Sequence, residues 1–203
     1  MNIIESNIAN LPTKHGNFKI KAYKQNNQEH LALMSEDFNP QAIVNLRIHS
    51  ECLTGDVFGS IKCDCQKQLE LAIAYIAKNS GLVIYHRQEG RNIGLLNKVN
   101  AYSLQDAGKN TVEANLALGF REDEREYSIV EYILKDLEIK KINVLTNNPA
   151  KMKFLETLDV EIVERIPTIV EPNCHNKNYL NTKKEDTIHF IHRFEEEFKF
   201  DKD

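Results

Sequence analysis

Three cysteines lie close together in the first third of the chain, at Cys52, Cys63 and Cys65. A Cys-x-Cys pair does not readily form a disulfide with itself, because the sulfur–sulfur bond requires a particular Cα separation and torsion. Three soft thiolates can instead bind one Zn²⁺ ion, and a zinc with only three protein ligands keeps a position for water, as in catalytic sites. The alternative is that these are ordinary buried cysteines of a reduced compartment.

The first elements that must position these cysteines are predicted to be strands. Apolar and polar residues alternate in FKIKAY (18–23), which is typical of a half-buried strand. The short apolar runs HLALM (30–34) and AIVNLRI (42–48) fit strands beside it. The N-terminal third therefore has α+β character.

The hydrophobic period changes to that of a helix at Cys65. This helix is predicted to stop at Asn79-Ser80-Gly81, with Gly81 suited to the left-handed position after a helix. LVIYH (82–86) reads as a strand buried on both faces. A polar loop follows, and then a helix that is predicted to end before Gly108.

The clearest βαβ pattern lies in the C-terminal part of the chain. INVLT (142–146) and VEIVERI (160–166) are predicted strands, and AKMKFLETL (150–158) is the helix between them, opened by the turn NNP (147–149). Asp159 would be the only residue between helix and return strand. Strands followed by βα units predict a single α/β domain with a mixed sheet.

Composition excludes several classes of protein. The 203 residues are 41% hydrophobic and 28% charged, a globular balance, with no apolar run long enough for a membrane helix and no signal-peptide pattern. The net charge of -4 lies entirely in residues 185–203, so residues 1–184 are neutral, and a general nucleic-acid binder is disfavoured. We expect a cytoplasmic domain over 1–184 and an acidic helical tail over 185–203.

Several long motifs, in order along the chain, resemble the GTP cyclohydrolase II family of riboflavin biosynthesis. The resemblance covers about residues 11–184 and excludes only the acidic tail. The matching segments are LPTKHGNF (11–18), RIHSECLTGDVFGSIKCDC (47–65), YHRQEGRNIGLLNK (85–98), LTNNPAK (145–151) and NYLNTK (178–183).

The resemblance implies an activity and its cofactors. Members of this family open the imidazole ring of GTP, release C8 as formate and remove pyrophosphate, which gives 2,5-diamino-6-(5-phospho-D-ribosylamino)pyrimidin-4(3H)-one. They bind one zinc per subunit through cysteines that match Cys52, Cys63 and Cys65, use magnesium with the triphosphate, and form homodimers. Many bacterial relatives are fused to a 3,4-dihydroxy-2-butanone 4-phosphate synthase domain, for which 203 residues leave no room, so we expect a monofunctional chain.

The resemblance also implies three catalytic residues. Tyr102 matches a catalytic tyrosine that handles a proton during ring opening, although by itself it reads as a helix residue packed on the core. Asp123 matches a proton acceptor, and Arg125 matches a proposed nucleophile on the α-phosphate. A guanidinium is protonated at ordinary pH, so Arg125 could instead be an electrostatic clamp on the phosphates. Asp123 and Arg125 share a side only if their segment, REDERE (121–126), is not helical.

Substrate contacts are implied for twelve further residues. Arg91 can bind phosphate through its planar fork, and Lys151 lies in the first turn of a helix whose amides favour anions. Glu89 could accept hydrogen bonds from guanine or hold magnesium. The full set is Arg47, Ile48, His49, Ser50, Glu51, Gln68, Glu89, Gly90, Arg91, Thr111, Thr146 and Lys151.

The chain departs from the family pattern at two positions. Gln66 replaces the usual glycine after Cys65, so a positive φ there would be strained, and Asn100 stands where a basic residue is common. Two rival functions are a zinc-stabilised GTP-binding protein without turnover and a cyclohydrolase that stops at a formamide. Tyr102 argues against the second, and Tyr102, Asp123 and Arg125 together argue against the first.

Overall fold

A computed structural model describes residues 2–168 and 170 of the chain. The predicted acidic tail (185–203), Cys174 and the NYLNTK motif (178–183) lie outside the described residues. Within the described part, one mixed sheet is flanked by helices, which confirms the predicted α/β fold.

The sheet contains eight strands in the described part of the chain. They are β1 (Ile3–Glu5), β2 (Ala9–Thr13), β3 (Gly16–Gln25), β4 (Gln28–Ser35), β5 (Val44–Ser50), β6 (Leu82–His86), β7 (Lys141–Leu145) and β8 (Glu161–Ile166). The helices are α1 (Leu53–Asp56), α2 (Cys65–Asn79), α3 (Gly94–Asp106), α4 (Thr111–Ala117), α5 (Ser128–Asp136) and α6 (Pro149–Leu155).

The sheet has an antiparallel half and a parallel half. Its strand order is β1-β3-β4-β6-β5-β7-β8, and β2 also pairs with β3. The strands from β1 to β4 pair antiparallel with their neighbours, and β4 pairs antiparallel with β6. The strands β6, β5, β7 and β8 run parallel to one another. The strand-rich first third and the later βα units thus share one sheet, as predicted.

Helices cover both faces of the sheet. The larger core lies where α5 and α6 pack on alternate residues of the central strands, such as Leu46, Leu82 and Ile84. The smaller core contains Phe18, Ile76 and Val83, so α2 lies against the other face, because neighbouring residues of a strand point to opposite faces. Among the described helices, none has the length and apolar character needed to cross a membrane.

The end of the βαβ unit differs from the sequence prediction. Helix α6 ends at Leu155 rather than at residue 158, and β8 begins at Glu161, so the connection has five residues instead of Asp159 alone. The cause is local: the Thr157 amide and hydroxyl both donate to the carbonyl of Phe154, at 3.0 and 2.6 Å. This tight turn replaces the next helical hydrogen bonds.

The role of Gly81 also differs from the prediction. Ser80, not Gly81, follows α2 directly, with φ 59° and ψ 153°, and Gly81 has φ 146°. Neither residue adopts the ordinary left-handed helical conformation. Glycine is required at 81 for space as well, because a Cβ atom there would lie 2.2 Å from the carbonyl oxygen of Asn45.

Candidate functional site

Most of the sequence-predicted site residues gather at the carboxyl ends of the parallel strands. Strand β5 ends at Ser50, β6 ends at His86, and Thr146 follows the last residue of β7. Parallel strands place these ends along one edge of a sheet, and open α/β sheets bind ligands in the crevice beyond that edge. The segments after β5 and β6 supply the cysteines and the polar loop.

The three cysteines form a cluster around α1. All three sulfur atoms lie within 4.8 Å of one another, and the Sγ atoms of Cys52 and Cys63 are 3.6 Å apart. Gly55 forms the wall of the cluster, since a Cβ atom there would lie 3.0 Å from Cys63 Sγ and 3.2 Å from Cys52 Sγ. The group could hold a metal ion.

The thiols of Cys52 and Cys63 have pKa values shifted in opposite directions. Hydrogen bonds from Cys63 and Cys65, together with the charge of Lys98, lower the pKa of Cys52. The hydrogen bond to Cys52 raises the pKa of Cys63 to about 11. A thiolate is therefore already favoured at Cys52, and thiolate is the form of cysteine that binds a metal.

Lys98 of α3 is a buried contact of the cluster that the sequence did not indicate. Its Nζ atom donates to Cys52 Sγ at 3.2 Å and to Glu89 Oε1 at 2.7 Å. Burial alone would lower the pKa of Lys98, but the Cys52 thiolate and Glu89 outweigh burial and raise it. Glu89 also accepts hydrogen bonds from the amides of Leu53 at 2.6 Å and Gly90 at 2.8 Å.

Tyr102 lies one helical turn after Lys98 and faces the same cluster. Its hydroxyl group is 3.1 Å from Thr54 Oγ1, which is 3.7 Å from Cys52 Sγ. Burial raises the pKa of Tyr102, so its phenol is protonated near neutral pH. The phenol is therefore able to donate a proton next to the cysteines.

Asp56, which the sequence also did not single out, ties His49 to the cysteine loop. Its side chain is 3% exposed and accepts hydrogen bonds from His49 Nε2 at 3.1 Å, the Cys52 amide at 3.0 Å and the Tyr85 hydroxyl at 2.8 Å. Burial lowers the pKa of His49, so the ring is neutral, with the proton on the nitrogen that faces Asp56.

Arg47 and Gln68 contact each other beneath this edge of the sheet. Arg47 donates to Gln68 Oε1 at 2.6 Å and to the carbonyl of Leu145 at 3.0 Å. Burial lowers the pKa of Arg47 to about 10, which leaves it charged at neutral pH. Gln68 Nε2 in turn donates to the carboxylate of Asp64. These contacts join β5, β7 and the start of α2.

Asp123 and Arg125 lie in an irregular segment between α4 and α5, which satisfies the requirement that this segment is not helical. Arg125 binds the Asp123 carboxylate with two donors, one of them at 2.8 Å, and donates to Ser50 Oγ at 3.2 Å. Burial would raise the pKa of Asp123, but the hydrogen bond and charge of Arg125 lower it. Asp123 is therefore ionised.

The remaining predicted contacts have varied surroundings. Lys151 is buried and donates to the carbonyl of Ile48 at 2.8 Å, and Thr146 Oγ1 accepts from the amide of Asn148 at 3.0 Å. Glu51 pairs with Arg87 at 3.2 Å.

Thr111 is the first residue of α4, directly after the N-cap residue Asn110. In the described part of the chain, no hydrogen bond or ion pair joins Thr111 to the cysteines or to Arg125. Gln66, which stands where the family usually has glycine, lies in the first turn of α2 and does not have a positive φ. Glutamine at this position therefore causes no backbone strain.

Known proteins resemble this chain over most of its length. The family model of GTP cyclohydrolase II matches residues 5–167. GTP cyclohydrolase-2 of Campylobacter fetus is 57% identical over 195 residues, which are 96% of this chain and 99% of that protein. GTP cyclohydrolase-2 of Campylobacter hominis is 54% identical over 191 residues, with 94% and 97% covered.

A longer relative matches over less than half of its own length. The riboflavin biosynthesis protein RibBA of Chlorobium phaeovibrioides is 47% identical over 186 residues, which are 90% of this chain and 45% of that protein. The family model and the two Campylobacter proteins confirm the resemblance seen in the sequence motifs. The chain belongs to the GTP cyclohydrolase II family, which is a family of hydrolases.

Proposed function

We propose that this chain catalyses the zinc-dependent hydrolysis of GTP to 2,5-diamino-6-(5-phospho-D-ribosylamino)pyrimidin-4(3H)-one, with release of formate and pyrophosphate. This reaction would be the first committed step of riboflavin biosynthesis. Membership of the family supports the reaction class. The observation that carries the proposal is the cluster of three cysteine sulfurs within 4.8 Å, with the phenol of Tyr102 beside it.

Cys52, Cys63 and Cys65 are the residues that would hold the zinc ion. The donor set fits, because soft thiolates suit zinc and hydrogen bonding already favours a thiolate at Cys52. Gly55 also fits this role, since a Cβ atom at that position would lie only 3.0 Å from Cys63 Sγ and would crowd the sulfurs. When bound, zinc supplies Lewis acidity and activates water for attack on C8, a carbon between two nitrogens that water alone attacks poorly.

Tyr102 would act as the proton donor during ring opening. Its phenol is protonated near neutral pH, because burial raises its pKa. The hydroxyl contacts Thr54, whose own hydroxyl is 3.7 Å from Cys52 Sγ. A proton from Tyr102 to the ring nitrogen would make that nitrogen a better leaving group as the C–N bond breaks.

Arg125 and Asp123 would act on the α-phosphate. In the covalent form of the mechanism, an Arg125 nitrogen attacks phosphorus, pyrophosphate leaves, Asp123 takes the arginine proton, and water later cleaves the phosphorus–nitrogen bond. In the electrostatic form, Arg125 stabilises the charge on the phosphate while water attacks. The two-donor contact between the residues supports a role for the pair in either form. Mass spectrometry of quenched protein would distinguish them by a guanylyl adduct on Arg125.

GTP itself would lie along the carboxyl edge of the parallel strands. Arg47, Arg91 and Lys151 provide positive charges on that side, and their family matches are substrate contacts. Ile48, His49, Ser50, Glu51, Gln68, Glu89, Gly90, Thr111 and Thr146 complete the proposed set. Glu89 already accepts hydrogen bonds from three protein donors, and its further partner in the proposed complex would be guanine or magnesium.

Three further features belong to the proposal. Magnesium bound with the triphosphate and a homodimeric assembly are implied by the family resemblance, and a cytoplasmic location is proposed beside them. None of them is needed for the chemistry of the cysteine cluster. Each has a direct measurement: the magnesium dependence of turnover, the mass in solution, and the distribution of the protein between cell fractions.

The proposed function is tested by incubating the zinc-loaded protein with GTP and magnesium. We expect formate, pyrophosphate and the diaminopyrimidine to appear in equal amounts. Pyrophosphate without formate would identify an enzyme that stops at a formamide. Bound GTP without any product would identify a nucleotide-binding protein and would overturn the enzymatic proposal.

A further inference from the structure

The segment that carries Asp123 and Arg125 has no helix or strand to hold it. It lies between α4, which ends at Ala117, and α5, which begins at Ser128. A segment of this kind keeps a catalytic geometry only if other parts of the protein bind its backbone. Four hydrogen bonds to this segment come from one loop, residues 88–92, after strand β6.

Glu124, the residue between Asp123 and Arg125, is held through both of its backbone groups. Its amide donates to the carbonyl of Arg91 at 3.1 Å. Its carbonyl accepts from the side-chain amide of Asn92 at 3.0 Å. Two consecutive residues of the loop therefore bind one peptide unit on each side of Glu124, as a neighbouring strand would do.

Two further hydrogen bonds extend this contact in both directions. The amide of Glu126 donates to Gln88 Oε1 at 2.9 Å. Arg91 donates to the carbonyl of Glu122 at 3.2 Å. The 88–92 loop thus binds the segment at every second residue from 122 to 126, and the two intervening residues are Asp123 and Arg125.

The loop reaches this geometry through an unusual backbone. Gly90, Arg91 and Asn92 all have positive φ, at 63°, 60° and 71°. Such angles are uncommon for residues other than glycine, and asparagine tolerates them better than most. Strained backbone of this kind persists only where the surroundings impose it, and it concentrates at functional sites.

The Asn92 side chain is itself fixed from the sheet. Gln28, the first residue of β4, donates from Nε2 to Asn92 Oδ1 at 2.9 Å. Because the Asn92 oxygen accepts from Gln28, its nitrogen must face Glu124 as the donor. The amide of Asn92 therefore connects the rigid sheet to the peptide that separates Asp123 from Arg125.

We propose that Asn92 is a positioning residue for pyrophosphate release, which holds the Asp123–Arg125 pair in place by binding the backbone of Glu124. The inference rests on the proposed role of Arg125 in the phosphate step. It assigns to Asn92 no contact with GTP. It predicts that loss of the Asn92 amide group changes the turnover rate more than it changes substrate binding.

The test uses two variants of the full-length, zinc-loaded protein. Asn92→Asp keeps the shape and the acceptor for Gln28 but removes the donor to Glu124. Asn92→Gly removes both side-chain hydrogen bonds without added charge, in a backbone conformation that suits glycine. We expect kcat for pyrophosphate release to fall on the order of 10-fold in both, with KM changed by less than about threefold.

A matched control is available on the same stretch of chain. Asn97 donates from its side chain to the carbonyl of Ile93 at 2.8 Å, within its own helix. Asn97→Asp adds the same charge and removes a comparable hydrogen bond without touching residues 122–126. We expect this variant to have the kcat of the wild type. That result would separate the effect of the lost hydrogen bond to Glu124 from the effect of a negative charge near the triphosphate.

Amide hydrogen exchange gives a second readout that does not depend on activity. In both Asn92 variants, the amides of residues 122–126 should exchange faster, while zinc content and the exchange of the β5 and β6 amides stay unchanged. If kcat and exchange in 122–126 both match the wild type, the proposal is wrong. If the wild-type protein releases no pyrophosphate, the proposed function fails, and the exchange data still decide whether Asn92 holds the segment.

Discussion

The antiparallel and parallel halves of the sheet use their charged residues in different ways. In the antiparallel half, Lys21 of β3 pairs with Glu5 and with Asp136, each at 2.7 Å, and the buried Tyr23 hydroxyl donates to Asp136 at 2.7 Å. These groups pair with one another through ion pairs and a hydrogen bond. In the parallel half, charged side chains collect at the carboxyl edge instead, next to the cysteines and in the segments that follow the strands.

The difference predicts which charged residues stabilise the fold and which would bind a ligand. A closed network such as that of Lys21 holds α5 on the sheet and leaves nothing to bind. At the carboxyl edge, Lys98 contacts a thiolate, and Lys151 and Arg47 contact backbone carbonyls. Substitutions in the two halves should therefore separate stability from turnover.

The largest effect is expected at the cysteine cluster. Cys63→Ser replaces a sulfur 3.6 Å from Cys52 Sγ with a harder and smaller oxygen, which is a poor zinc ligand in a thiolate set. We expect formate release to be abolished and zinc to be lost, as measured by a formate assay and by metal analysis. A variant that is verified to be free of metal and yet fully active would refute the catalytic zinc.

The second effect concerns the phosphate side of the same edge. Arg125→Ala removes the contacts to Asp123 and Ser50, and pyrophosphate release should fall on the order of 100-fold or more. Zinc content should not change. Arg121→Ala is the control, because Arg121 is exposed and pairs only with Glu124 among the contacts seen for its side chain. Retained pyrophosphate release in Arg125→Ala would remove Arg125 from the phosphate step.

The third prediction concerns the antiparallel half, where a substitution should lower stability and leave turnover unchanged. Asp136→Ala leaves the buried hydroxyl of Tyr23 and the ammonium of Lys21 without this acceptor. We expect the free energy of unfolding, measured with urea, to fall by about 1–2 kcal/mol at unchanged kcat. Asp159→Ala, at an exposed ion pair with Lys140, should have no measurable effect. An equal loss of unfolding free energy in both variants would show that the contacts of Asp136 stabilise the fold no more than an exposed ion pair does.

The smallest effect on stability at neutral pH is expected for two histidines at the boundary between the two halves of the sheet, His30 of β4 and His86 of β6. Their rings stack at 5.2 Å, and burial lowers the pKa of His30 to about 4 and that of His86 to about 3. Because the unfolded chain binds these protons more readily, the two residues favour folding above about pH 6.5, and this contribution falls as the pH decreases towards 4.

His30→Asn isolates one of these two histidines. Asparagine can still accept the hydrogen bond that the Arg87 amide donates to His30 Nδ1 at 3.0 Å, but it does not titrate. Urea unfolding between pH 4 and 7 should therefore give a smaller loss of stability on acidification than the wild type shows. Parallel curves for the two proteins would contradict the assignment.

The sequence was sufficient to predict the elements that depend on a local pattern of residues. The helix from Cys65, the strand 82–86 and the βαβ unit follow from hydrophobic period, and the family follows from long motifs. The pattern Ile129, Val130, Ile133 and Leu134 has helical spacing and would have indicated α5, which we did not predict. Short elements such as β1 and α1 are too brief to show a period.

The sequence was not sufficient for contacts between distant parts of the chain. Lys98 lies 46 residues from Cys52, and Asn92 lies 32 residues from Glu124. Nothing near either residue marks its partner, because the folding of the sheet brings them together. Asp56 is close to Cys52 in sequence, but its importance becomes visible only when His49 and Tyr85 meet its carboxylate.

The close approach of Gly81 to Asn45 has a consequence for mutational scanning. Any side chain at 81 would collide with the Asn45 backbone, at the amino end of β6 and thus at the end opposite the cysteines. In a growth selection for riboflavin synthesis, substitutions at Gly81 would score as severely as loss of one of the three clustered cysteines. A map of essential positions would therefore mark two separate regions, and only a measurement of folded protein would tell the scaffold from the chemistry.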